Sequence, residues 1–197
     1  AAVTDLTGLQ VLFATLGYAS PVGIEIIPDL ADPTRYIAAA GQDGLGMGGR
    51  DYYLLAGEKY DAYRKAYRDY ATHIQTLAGI ADASARTDRI VAFETALAKE
   101  HWSPERSRDI KAIYNPMDRA GMKKLAPEFD WELMMKTQGL GAIPTVIMAH
   151  TTAISATGKL LASTPLETWK DWMAFRFVSD HAEFLSKAFD EAKFGFF

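Results

Sequence analysis

Apolar side chains along this chain recur mostly at intervals of three and four, the period with which one face of an α-helix repeats. Leu9, Leu12, Phe13 and Leu16 mark a first helix over 5–18, stopped by Gly17 and Pro21. The period then shortens. Val22 to Ile27 and Arg35 to Ala39 read as extended runs joined by Pro28-Asp29-Leu30-Ala31-Asp32-Pro33, a β-hairpin spanning 22–40. A glycine-rich loop follows from Gly41 to Gly49.

From Glu58 the helical spacing returns. Tyr60, Tyr63, Tyr67, Tyr70, Ile74 and Leu77 form one stripe of a long helix, with Lys59, Asp61, Arg64 and Lys65 on its other faces. That stripe reads as packing core, not as a stacking platform for bases or sugars. Ile90, Phe93 and Leu97 predict a second helix over 85–101. Ser103-Pro104 opens another, with Ser at N-cap and Pro in the first turn. Pro116 bends the chain after Tyr114-Asn115, short helices are expected over 118–125 and 131–136, and Thr145 to Met148 fits a short strand. Thr164-Pro165-Leu166-Glu167 has the form of a capping box, and Trp169, Met173, Phe177, Phe184 and Phe189 carry an apolar face onward from it. The fold class expected is therefore mainly α: a multi-helix, bundle-like domain with one small β-hairpin near the N-terminus. Residues 1–197 are expected to form a single helical segment, with helices from 58 to 197.

Composition narrows the function. Ten Phe, nine Tyr and four Trp require rings to fill much of the interior, and a net charge of -4 without a basic run argues against a nucleic-acid partner. No apolar stretch approaches the roughly 20 residues of a membrane span. Ala1 to Thr4 does not read as part of a signal peptide. With no cysteine, the sequence offers neither disulfides nor thiolate ligands.

Candidate chemistry is sparse. Gly44-Leu45-Gly46-Met47-Gly48-Gly49 satisfies G-x-G-x-x-G, but the strand before it belongs to a hairpin and helices follow it, so a tight connecting loop is preferred to a dinucleotide cradle. None of His73, His101, His150 and His181 has a second His four positions away, so the H-E-x-x-H zinc motif is missing. No G-x-S-x-G elbow surrounds a serine. Glu94, between Phe93 and Leu97, reads as a hydrogen-bonded structural carboxylate, and Arg176, between Phe175 and Phe177, as an ion-pair partner at the core's edge. No residue is assigned a catalytic or metal-binding role, and none is singled out for substrate binding.

An ordered series of short segments resembles the N-terminal region of the neprilysin-like (M13) zinc endopeptidases. It runs from Asp29-Leu30-Ala31-Asp32-Pro33 with Tyr36, through Gln42-Asp43-Gly44-Leu45-Gly46-Met47 and Arg50-Asp51-Tyr52-Tyr53-Leu54, to Glu94-Thr95-Ala96-Leu97-Ala98. Tyr114-Asn115-Pro116-Met117, Phe129-Asp130-Trp131, Thr164 to Lys170 and Arg176-Phe177 complete it. Gly48 departs from the pattern, since family members often carry Pro there. The resemblance implies a helical capping segment of a larger zinc metalloendopeptidase that hydrolyses small peptides. Zinc, its ligands and the general base would lie in the catalytic half of the same polypeptide, and this segment alone would bind no zinc and be inactive. A Cys-free member is similar to bacterial ones, which implies the periplasm or cell surface, with the cytoplasm as the alternative. Two other readings stay open: a stand-alone helical binding or scaffold domain, and a nucleotide-dependent enzyme built on Gly44 to Gly49.

Overall fold

In the computed structural model, which describes residues 3–197, the helical period is realised as eleven α-helices, with four short strands. The chain divides into two compact units.

The sheet unit gathers the stretch up to Leu16 with Ser20–Gly44 and Glu100–Thr164. It opens with α1 (Leu6–Ala14), capped by Asp5, whose carboxylate accepts from the Gly8 N–H at 2.7 Å. Strands β1 (Val22–Pro28) and β2 (Tyr36–Gln42) form the expected antiparallel hairpin, with Ile24 opposite Ala40 and Pro28 opposite Tyr36. The hairpin is only half of the sheet. β3 (Pro116–Met117) and β4 (Val146–Met148) extend it to the order β1-β2-β4-β3, with β4 parallel to β2 and antiparallel to β3. Helices α5 (Pro104–Ser107) and α6 (Ile110–Ile113) precede β3, α7 (Arg119–Leu125) and α8 (Trp131–Thr137) run between β3 and β4, and α9 (Thr151–Ser163) follows β4. The Ser103 hydroxyl caps α5 as predicted, accepting from the Arg106 N–H. Leu9, Phe13, Met122, Met134, Met148 and Ile154 fill the interior.

The helical unit gathers Gly17–Ala19, Leu45–Lys99 and Pro165–Phe197. Its elements are α2 (Arg50–Leu54), α3 (Glu58–Leu77), α4 (Ala83–Glu100), α10 (Leu166–Asp180) and α11 (Lys187–Phe196). The tyrosine stripe of α3 packs inward as expected: Tyr67, Tyr70 and Ile74 are buried. Phe93, Trp169 and Trp172 meet edge to face, with centroids 4.4 to 5.7 Å apart. Arg86 and Arg89 of α4 both grip Asp171 of α10, Arg89 through two hydrogen bonds of 2.6 and 2.8 Å.

Two local expectations are corrected, and two helices were not anticipated. The Thr164 capping box does not form: the Thr164 N–H closes α9 on the Leu160 carbonyl, α10 starts at Leu166, and Glu167 pairs with Lys170 at 2.7 Å. The last apolar face is two helices, not one, because the chain turns through a 3-10 segment at Ala182–Phe184 before Ser186 starts α11. Helices α2 and α9 had no separate signal. α9 begins inside an apolar stretch without a helical period.

Candidate functional site

Glu94 is the chemical centre of the helical unit. The apolar period of α4 turns its carboxylate inward, where it is fully buried. Tyr53 and Tyr67 donate to Oε2 at 2.8 and 2.7 Å, and the Trp172 indole N–H donates to Oε1 at 3.0 Å. Burial pushes the Glu94 carboxyl above its ordinary value, while the charge of Arg176 and the three donors pull it back. The same burial, reinforced by the Glu94 charge, drives both tyrosine hydroxyls well above their usual range.

This centre explains the glycine pattern. The Met47 N–H donates to the Tyr53 hydroxyl at 2.9 Å, which passes the loop's anchorage on to Glu94. A Cβ at Gly46 would land on the Tyr67 hydroxyl and lie 3.1 Å from Glu94 Oε1. The glycine therefore makes room for a tyrosine. The helix that follows, α2, has five residues, and no side chain caps it.

In the sheet unit, Asp29 is the comparable anchor. Its buried Oδ2 takes Arg35 Nε at 2.9 Å and Nη2 at 2.6 Å, and Oδ1 accepts from the Ala31 N–H and the Tyr114 hydroxyl. The Ala31 N–H, then Tyr114 and Arg35, hold the Asp29 carboxyl below its ordinary value. Asn115 ties β3's approach to β4, donating to the carbonyls of Ala112 and Met148. Gln42 bridges the backbone of Trp102 in both directions, and the Trp102 ring stacks against the Arg106 guanidinium at 3.6 Å. Nearby, His150 Nδ1 accepts from the Gln42 N–H, and burial, then the charge of Arg106, lowers the imidazole's pKa.

Two clefts open on this unit. One, of about 510 Å³, is lined by Ile26, Tyr36, Ala38, Tyr114, Pro116 and Pro144. The other, of about 520 Å³, is lined by residues that include Arg119, Lys123, Glu128 and Trp131. Both are large enough for a small ligand. Neither anchor carboxylate is set beside a nucleophile: Glu94 and Asp29 are each committed to the donors named above. Arg176 reaches Asp180 at 3.4 Å. His73 is exposed on α3, His101 is buried, and His181 lies at the end of α10 with Nδ1 2.8 Å from the Phe177 carbonyl. Among the described residues no group of three His, Asp or Glu side chains is placed to hold a metal ion.

The N-terminal model of Peptidase family M13 matches residues 2–197. The chain belongs to peptidase family M13. Endothelin-converting enzyme 1 of Cavia porcellus is 25% identical over 191 residues, 93% of this chain and 25% of that protein. Human endothelin-converting enzyme-like 1 is 25% identical over 171 residues, 83% of this chain and 22% of that protein. Among solved structures, the Mycobacterium tuberculosis zinc metalloprotease Zmp1 in complex with an inhibitor superposes with a TM-score of 0.91 at 28% identity, over 99% of this chain and 31% of that one. PepO of Lactobacillus rhamnosis shares the fold, with a TM-score of 0.75 at 16% identity.

This M13 chain thus spans about a quarter of the curated relatives and about a third of the solved ones. Asp29, Gln42, Glu94, Tyr114 and Asn115 all belong to the segments that carry the family likeness, and each makes the long-range hydrogen bonds given above. Sequence reading found Glu94 by its place on an apolar face. It missed the Asp29–Tyr114 pairing, because nothing local to either residue signals a partner 85 positions away.

Proposed function

We propose that this chain, over its whole length, is a non-catalytic lid and substrate-cavity segment of a zinc metalloendopeptidase that hydrolyses small peptides. One observation carries the reading: the family match runs from residue 2 to residue 197, with a solved zinc metalloprotease following the same backbone. The sequence contains no H-E-x-x-H, and no described cluster suits the metal, so in this reading zinc, its ligands and the general base belong to the catalytic half of the polypeptide. Bound there, zinc would lower the pKa of a water molecule and polarise the peptide carbonyl. The contribution of the present residues would be walls that admit short peptides, exclude folded proteins and keep the cavity poor in water. Such walls must be rigid, which suits an interior built from interlocked rings around a carboxylate, Glu94, held by three donors. The partners are the catalytic half and small peptides, with no nucleic acid. The reading places the protein in a bacterial periplasm or at the cell surface, with the cytoplasm as the alternative. No helix among the described residues is long and apolar enough to cross a membrane.

The test uses the intact protein with a short fluorogenic peptide and a folded protein of similar sequence content. Hydrolysis of the peptide alone, abolished by a chelator and restored by zinc, is expected. Hydrolysis that survives chelation sinks the zinc assignment, and cleavage by residues 1–197 alone sinks the non-catalytic one. The cleft beside Tyr114 supports the alternative of a stand-alone binding domain. An in-frame stop after the codon for Phe197 would decide for it.

A further inference from the structure

The outer strand of the sheet has an open edge, and its backbone parity can be read from the hairpin's two ends. At one end the Asp43 N–H donates to the Pro21 carbonyl at 3.2 Å, and at the other the Asp29 N–H donates to the Arg35 carbonyl at 2.9 Å. Inward-facing groups alternate along an antiparallel ladder, so Gly23, Glu25 and Ile27 spend theirs on β2. Val22, Ile24 and Ile26 therefore aim their N–H and C=O groups away from it. The far side of β2 agrees: the Ala149 N–H reaches the Ala40 carbonyl at 2.8 Å, and the Gln42 N–H reaches His150. In the order β1-β2-β4-β3 no strand among the described residues lies beyond β1.

The two ends of that edge are closed. The Ser20 hydroxyl donates to the Val22 carbonyl at 2.8 Å and accepts from the Val22 N–H at 3.3 Å, and Pro28 has no N–H to offer. Between them, the outward groups of Ile24 and Ile26 have no backbone partner among the described residues. Neither position carries the Lys, Pro or bulge by which proteins often blunt a free edge, and the one charge in the window, the exposed Glu25, sits at a position whose backbone faces β2. Ile26 is 51% exposed, and its side chain borders the cleft that also contains Tyr36 and Tyr114.

We propose that β1 is an acceptor edge: an extended segment of the same polypeptide, from outside residues 1–197, pairs with Ile24 to Ile26 as a fifth strand. This rests on the reading of the chain as one segment of a larger peptidase. The chain spans about a third of a solved relative, so most of such a protein lies outside these residues and can supply the strand. The window's chemistry fits that occupant. It is short, bounded at both ends and isoleucine-lined, which suits a brief apolar strand whose backbone supplies the affinity and whose alternate side chains pack on Ile24 and Ile26.

Hydrogen exchange on the intact protein, read at single residues, is the direct test. The Ile24 and Ile26 amides should be protected to an extent comparable with the inward-facing amide of Ile27. Ile26→Pro removes an outward N–H without touching the β1–β2 ladder. It should lower the melting temperature below that of Ile26→Ala. Exchange of both amides at the rate of an unstructured peptide, with the two variants melting together, overturns the proposal. Protection that grows with protein concentration would assign the edge to a second copy, and protection that appears only on adding a short peptide would assign it to substrate. Either result overturns it as well. Zinc-dependent hydrolysis by the same preparation reports on the peptidase reading separately, so the two can fail independently.

Discussion

The sheet unit and the helical unit solve the problem of a buried polar group in different ways. In the sheet unit Met122, Met134, Met135 and Met148 are fully buried beside a mixed sheet, and apart from the Asp29 anchor much of the cross-linking runs through main-chain groups. In the helical unit rings from α2, α3 and α10 surround one carboxylate of α4, and three side chains must all point correctly to satisfy it. Where the backbone carries the polar contacts, the apolar filling is interchangeable within its volume. Where side chains carry them, each becomes irreplaceable, because a lost partner leaves a buried group unsatisfied.

Substitutions should expose that difference. Glu94→Ala should cost the most, about 3–5 kcal/mol, since it strands Tyr53, Tyr67 and Trp172 in the interior. A urea midpoint within experimental error of wild type would refute the role given to Glu94. Gly46→Ala should follow at about 1–3 kcal/mol, because the new methyl must push Tyr67 off Glu94. Tyrosine near-ultraviolet circular dichroism should change in step with the loss.

Titration sharpens the comparison, because the two anchors have opposite signs. The Asp29 carboxyl is lowered from 3.8, so its contribution is complete above that value and is lost as pH falls through the folded-state value. The Glu94 carboxyl is raised from 4.5, so its contribution is complete below that value and is lost as pH rises through the folded-state value. Relative to wild type, Asp29→Asn should flatten the acid-side loss of stability, and Glu94→Gln should flatten the decline on the other side. Parallel stability–pH curves for wild type and both variants would contradict the assignment. The smallest effect belongs to Met134→Leu, a near volume-conserving change in the sheet unit, at under about 1.5 kcal/mol by thermal melting. A larger loss would show that the methionine interior is as closely specified as the aromatic one.

Most helices were legible because burial on one face imposes a period of three to four, and a period is a local property. The tyrosine stripe of α3 was read this way, the hairpin from its extended runs and turn residues, and the Ser103 start of α5 from its cap. The break between α10 and α11 was not legible, since the apolar pattern carries on across His181 to Ser186 while the backbone turns. The Thr164 box failed because its backbone N–H was already engaged in ending α9. Among the anchors, Glu94 was visible as an acid on an apolar face. Its three donors lie 41, 27 and 78 residues away, and no spacing rule reaches that far.

By itself, then, the sequence determined the helical class, the hairpin and its connecting loop, the membership suggested by an ordered series of short segments, and the lack of a local zinc or nucleophile motif. Only the tertiary structure decided that the hairpin would be widened by β4 and β3, that Gly46 would make room for Tyr67 and not for a phosphate, and that Asp29 would meet Tyr114. The physical reason is range. Period, caps and turns are set by forces acting within a few residues, whereas strand partners and buried polar networks are fixed when distant segments compete for the same dry space.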